Sequence, residues 1–164
     1  MVCAVTALLL VLTACGDDSR AAPVVTMPSG TTSAAAIPAI DPLRCDPSTA
    51  APGETVTNGE GGHDSAVAVV ADYHWAVITG RDKARATDAV ATGAAMASPE
   101  LISQALDGYP PGTTYCLRMR QTRPDTVLLT LTYQPPAGGT NEYRLRATVT
   151  GPPGDVRITG VVDQ

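Results

Sequence analysis

From Ser65 onward the apolar positions recur with helical spacing. Val67, Val70, Ala71, His74, Val77 and Ile78 fall on one stripe, which predicts a helix started by Asp64 or Ser65 and ended by Gly80. Asp82 is placed to cap a second, shorter helix with Ala86, Ala89 and Val90 on its inner face. "SPELISQALDG" (98–108) predicts a third, with Ser98 as cap, Pro99 in the first helical position and Gly108 past the end. The period then changes to two. Tyr115, Leu117 and Met119 alternate with Cys116, Arg118 and Arg120. Val127, Leu129, Leu131 and Tyr133 alternate with Leu128, Thr130 and Thr132, and Tyr143, Leu145, Ala147 and Val149 with Arg144, Arg146 and Thr148. A last segment sets Val156 and Ile158 against Arg157, and "QTRPD", "PPAGGT" and "GPPGD" are turn clusters between the strands. The expectation is an α+β fold. Three N-terminal helices pack on a curved four-stranded antiparallel sheet, with an Arg/Thr face turned to water.

The amino-terminal part follows neither period. Residues 16 to about 62 are rich in Pro, Thr, Ser and Ala and read as a disordered tether, since such a segment cannot bury enough apolar surface to offset its ordering entropy. Before it, Ala4 to Ala14 form an apolar run interrupted only by Thr6 and Thr13. A bilayer span needs about 20 residues, so the run has the length of a signal-peptide core instead. At its end, Leu12-Thr13-Ala14-Cys15 resembles the lipobox of bacterial lipoprotein precursors. That resemblance implies a signal peptide over 1–14, cleavage before Cys15 and lipid on its thiol. The segment Met1-Val2-Cys3 departs from the pattern in carrying no Lys or Arg. The layout expected is then signal peptide 1–14, tether 15–62 and folded domain 63–164.

The lipobox also sorts the four cysteines. With Cys3 removed and Cys15 acylated, Cys45 and Cys116 remain to form a disulfide, as suits an exported protein. Neither a Cys-x-x-Cys pair nor more than two His residues is present, which argues against a redox or metal pair. The net charge of −5 contains no run of like charge, leaving no electrostatic footprint for nucleic acid.

Helices followed by a long-stranded curved sheet, Trp75 on the first helix, the Gly80-Arg81-Asp82 break and the closing "GDVRITGV" resemble the NTF2-like (cystatin-like) superfamily across residues 65–164. The resemblance implies a cone between helices and sheet that holds a pocket in some relatives and is inert in others. The pocket candidates are His74, central on the apolar stripe, its neighbours Tyr73 and Trp75, and Tyr115 and Tyr133 from the strands. Asp72 is assigned to the opposite helix face, away from His74, and His63 to a Gly-rich loop without visible metal partners. Arg118, Arg120, Arg144, Arg146 and Arg157 share one strand parity and form a candidate interaction surface. No cofactor motif and no Gly-x-Ser-x-Gly or Ser-x-x-Lys nucleophile pattern is present. The leading expectation is an exported protein anchored by lipid to the outer face of the membrane. Its head would be a non-catalytic binding or assembly module for an envelope protein partner or for part of a transport or secretion machine. The alternative is a small-molecule site, binding or weakly catalytic, centred on His74.

Overall fold

The computed structural model describes residues 42–164. Each predicted helix forms, and each starts where a side chain satisfies a free amide. Ser65 Oγ accepts from Ala68 N–H at the start of α1 (Ala66–Trp75). Asp82 Oδ1 accepts from Arg85 N–H ahead of α2 (Lys83–Asp88), and Ser98 Oγ from Leu101 N–H ahead of α3 (Pro99–Asp107). Beyond Trp75 the helix widens into a π turn over Ala76–Gly80. Arg81 follows in the left-handed region (φ 49°), turning the chain toward α2.

The sheet contains five strands: β1 (Thr55–Thr57), β2 (Thr114–Arg123), β3 (Thr126–Gln134), β4 (Asn141–Thr150) and β5 (Arg157–Asp163). All neighbours are antiparallel, in the order β1-β2-β3-β4-β5. This corrects the expected architecture of three N-terminal helices on four strands. β1 precedes the helices, which are therefore mid-chain, and it lies in the stretch read as tether. Thr55-Val56-Thr57 is too short to show alternation, and Pro52-Gly53 and Asn58-Gly59 flank it with turn signals. Long-range ties supply its order. Val56 is buried against β2, Cys45 is disulfide-bonded to Cys116, and Glu54 pairs with Arg118 at 2.7 Å.

The alternating positions behave as their parity predicts for most of the sheet. Tyr115, Leu117, Met119, Val127, Leu129, Leu131, Ala147 and Val149 are buried beneath the helices. A register shift at Thr148/Val149 sets Val149 against Ile158 and Thr148 against Gly160, leaving Thr159 between them. The extra residue flips the parity of the remainder of β5, so Val161 faces the helices while Val162 is exposed. The free edge of β5 is closed by the segment after α2, through Ala91 N–H to Ile158 O and Ile158 N–H to Ala89 O.

The Cys45–Cys116 disulfide spans 71 residues. In the chain-entropy account a closed loop of that length contributes about 4 kcal/mol. Replacing both cysteines with Ala is expected to lower the unfolding free energy by about that amount in a denaturant titration, with the loss of protection in hydrogen exchange greatest at β1.

Candidate functional site

A pocket of about 250 Å³ lies between α1 and the inner face of the sheet. α1 and its π turn contribute Tyr73, His74 and Val77, the segment around α3 contributes Met96, Ala105 and Tyr109, and the strands contribute Leu131, Tyr143, Leu145 and Val161. The wall is mainly aliphatic and aromatic, and among the described residues no Lys, Arg, Asp or Glu lines it. Arg81 donates to the backbone carbonyl of Tyr109 at 2.5 Å, fastening the end of α3 to the turn that follows α1.

His74 is the only heterocycle in this wall, and it is 5% exposed. Its Nδ1–H donates to the carbonyl of Val70, one turn back, at 2.8 Å. A carbonyl offers no hydrogen, so the proton on that nitrogen is required by the contact. Burial pushes the ring below its ordinary pKa of 6.5, with the Val70 contact offsetting part of the effect. Burial pushes Tyr109 up to about 12, assisted by Tyr133, Tyr143 and Tyr73, and burial also raises Tyr73.

Of the five residues expected to form this site, Tyr73 and His74 line it and three do not. Trp75 points away and stacks beneath the Arg85 guanidinium at 4.5 Å. Tyr115 donates its hydroxyl to Asn58 O at 3.0 Å and acts as a buried tie to the segment after β1. Tyr133 stands behind the rim, edge-on to Tyr109 at 5.0 Å and stacked on Tyr143 at 6.0 Å. The alternating pattern of β4 already placed Tyr143 and Leu145 on the inner face. Met96 comes from a 3-10 turn and Tyr109 from the loop after α3, where periodicity gives no signal; Ala105 lies in the last turn of α3, and Val161 comes through the β5 bulge.

The other polar constellation is on the far side of α1. Asp72 is 1% exposed, and its Oδ1 accepts from Arg85 Nη2 at 2.6 Å and Nε at 3.0 Å. Arg85 also pairs with Glu60 at 3.0 Å. His63 gives its Nδ1–H to Val156 O at 3.0 Å and presents Nε2 to Asp88 at 3.4 Å and Asp72 at 3.9 Å. Among the described residues no group of three or more His, Cys, Asp or Glu side chains is arranged to hold a metal ion. The separation of Asp72 from His74 agrees with the helical geometry, but its face of α1 is buried rather than solvated.

The arginines divide into two sets. Register places Arg118, Thr130 and Arg144 in one row of the outer face, and Arg120, Leu128, Arg146 and Val162 in the next. Arg118 is held by Glu54 and Thr49, and Arg144 faces Glu142 at 3.4 Å. Arg120 and Arg146 have no ion-pair partner among the described residues. Arg157 belongs elsewhere. It binds Asp88 and Asp155 at the edge of β5 and does not join the row.

The model of one family, the domain of unknown function DUF8176, matches residues 43–162. The chain belongs to the DUF8176 family. The matched region begins upstream of Cys45 and β1, so in this chain it takes in both disulfide cysteines and the strand that precedes the helices. Comparison with the curated proteins and with the solved structures finds no match.

The depressed basicity of His74 has a stability consequence with a definite sign. The unfolded chain takes up the proton near 6.5, the folded chain only at lower pH, so this residue subtracts stability as pH falls below about 6.5. His74→Leu is expected to show a shallower decline in unfolding free energy between pH 7.5 and 5. The difference would approach about 1.4 kcal/mol per pH unit while one extra proton is bound by the unfolded wild type. Paired denaturant titrations isolate the effect, because every other titrating group is shared.

Proposed function

We propose that this DUF8176 protein is an exported, lipid-anchored binding module that takes up a small, largely apolar molecule between α1, α3 and β3–β5. The pocket carries the ligand-binding half of this reading. A 250 Å³ cleft lined by Val77, Leu131, Leu145, Met96 and four ring-bearing side chains lies between the helices and the sheet, open to solvent on the side of Tyr143. Its uncharged wall suits an apolar body, and the His and Tyr side chains give such a body a few polar points of orientation.

The same geometry supports binding over catalysis. The Nδ1–H of His74 is held by the Val70 carbonyl, and among the described residues no carboxylate backs the ring to stabilise an imidazolium. The carboxylate nearest in sequence, Asp72, is committed to Arg85.

The anchoring half rests on Leu12-Thr13-Ala14-Cys15, which lies outside the described residues together with the rest of the expected signal peptide and most of the tether. Among the described residues, no helix is long and apolar enough to cross a membrane. A second reading, docking to an envelope protein with an acidic surface, is favoured by one observation: Arg120 and Arg146 alternate with Leu128 and Val162 in one row of the outer sheet face.

Titration of the full chain with the neutral apolar fluorophore N-phenyl-1-naphthylamine is expected to give saturable, one-to-one enhancement. Ala105→Trp, which fills the pocket from α3, is expected to weaken that binding at least tenfold while thermal unfolding stays cooperative. Undiminished binding by this variant would overturn the pocket reading. For the anchor, mass spectrometry of the mature protein is expected to find Cys15 as the acylated first residue; an unmodified Cys15 preceded by Met1–Ala14 would refute it.

A further inference from the structure

We infer that the pocket selects molecules presenting a hydrogen-bond donor from an apolar body, such as an alcohol, a phenol or an amide N–H, and discriminates against carboxylates. This inference rests on the ligand-binding reading above and narrows its ligand class.

It follows from the two ends of one imidazole. Nδ1 lies 2.8 Å from Val70 O, so it carries the hydrogen, and Nε2 of the neutral ring is left with a lone pair and no hydrogen. Nε2 accepts from no described residue. Yet no buried side-chain nitrogen or oxygen among the described residues lacks a partner, so this atom is not sealed in protein. His74 lines the pocket, and the geometry points to that space as the one this nitrogen opens onto. A ligand seated there either donates to Nε2 or strips water from an acceptor without replacing its hydrogen bond, which is the costlier outcome.

Charge sharpens the selection. A carboxylate would set a negative oxygen against that lone pair, in a wall without a cation. Protonating the imidazole to receive it would place an ion pair among Val77, Leu131 and Leu145, where burial already disfavours the charged ring. Tyr73, Tyr109 and Tyr143 are the other polar groups facing the space, and each phenol can donate or accept. They orient a ligand without choosing between donor and acceptor. His74 is the wall residue that only accepts.

The test is a series on one ring body: 2-naphthol, 2-methoxynaphthalene and 2-naphthoate, each displacing the fluorophore from the full chain at pH 7.5. The naphthol is expected to bind about tenfold more tightly than the ether, and the naphthoate more weakly than either. His74→Leu is expected to bring the naphthol-to-ether ratio near one while retaining the ether. His74→Gln, which can donate as well as accept, is expected to keep the naphthol and to readmit the naphthoate. Equal binding of naphthol and ether by the wild type, or a preference that survives in His74→Leu, would overturn the inference and leave the pocket reading standing. Failure of all three ring compounds and of the fluorophore to bind saturably would remove the pocket reading and this inference with it.

Discussion

The carboxylate of Asp72 is the constraint around which the helical layer is arranged. A charge that is 1% exposed is tolerated only when it is paired and hydrogen-bonded, and Arg85 supplies both through two nitrogens on one oxygen. Holding Arg85 there requires a platform, which is the face of Trp75 at 4.5 Å. Trp75 in turn lies where it does because residue 80 is glycine, since a Cβ there would fall 2.6 Å from the indole. The loop before α1 closes the other side. A Cβ on Gly61 would fall 2.0 Å from Ala68 O, and Gly62 N–H donates to that carbonyl. From His63 the connection runs on to the sheet, its carbonyl accepting from Gly154 and Val156. One buried charge thus couples α1, α2, the preceding loop and the approach to β5.

Fixing Asp72 on that side fixes the rotation of α1, and the functional geometry follows. Two residues further on, a side chain is turned by about 200° around the helix axis. His74 therefore faces the pocket with no carboxylate near it, and its spare nitrogen hydrogen goes to the helix's own backbone. The molecule segregates its polar chemistry across a single helix, with charged pairs behind it and an uncharged wall, holding one group that only accepts, in front. A site of this kind can recognise the polar end of an apolar molecule, but it lacks the paired charges through which proton transfer is usually tuned.

What the sequence made legible was whatever depended on local spacing. Ser65, Asp82 and Ser98 cap their helices because the cap is decided within four residues. Strand parity assigned Leu117, Leu129 and Ala147 to the core for a similar reason, and His74 reached the pocket because it shares a stripe with Val70 and Val77. Features set by distant partners were hidden. The Cys45–Cys116 pairing was itself legible from the cysteine count, but the strand beside it was not: β1 is ordered by that disulfide and by an ion pair to β2, 64 or more residues away. Trp75 left the pocket for a cation supplied by α2, while Val161 entered it through one inserted residue. Asp72 was placed on the correct side of α1, but its burial depended on Arg85, which no periodicity associates with it.

The position of the disulfide links the fold to the proposed anchoring. Cys116 shares its parity with Arg118, so the bond to Cys45 approaches the sheet from its outer face, whereas the pocket opens on the inner face beneath the helices. Leu43 N–H donates to Thr114 Oγ1, which holds the entering chain beside the start of β2. Pull transmitted along that chain would be borne by Cys45, Cys116 and the longest strands of the sheet, not by α1 or α3. If the proposed lipid at Cys15 holds the protein to a surface, the restraint acts on the side of the sheet away from His74. The bond that ties in the entering chain and the imidazole of His74 thus lie on opposite faces of one sheet, whose strands β3 and β4 also supply Leu131, Tyr143 and Leu145 to the pocket.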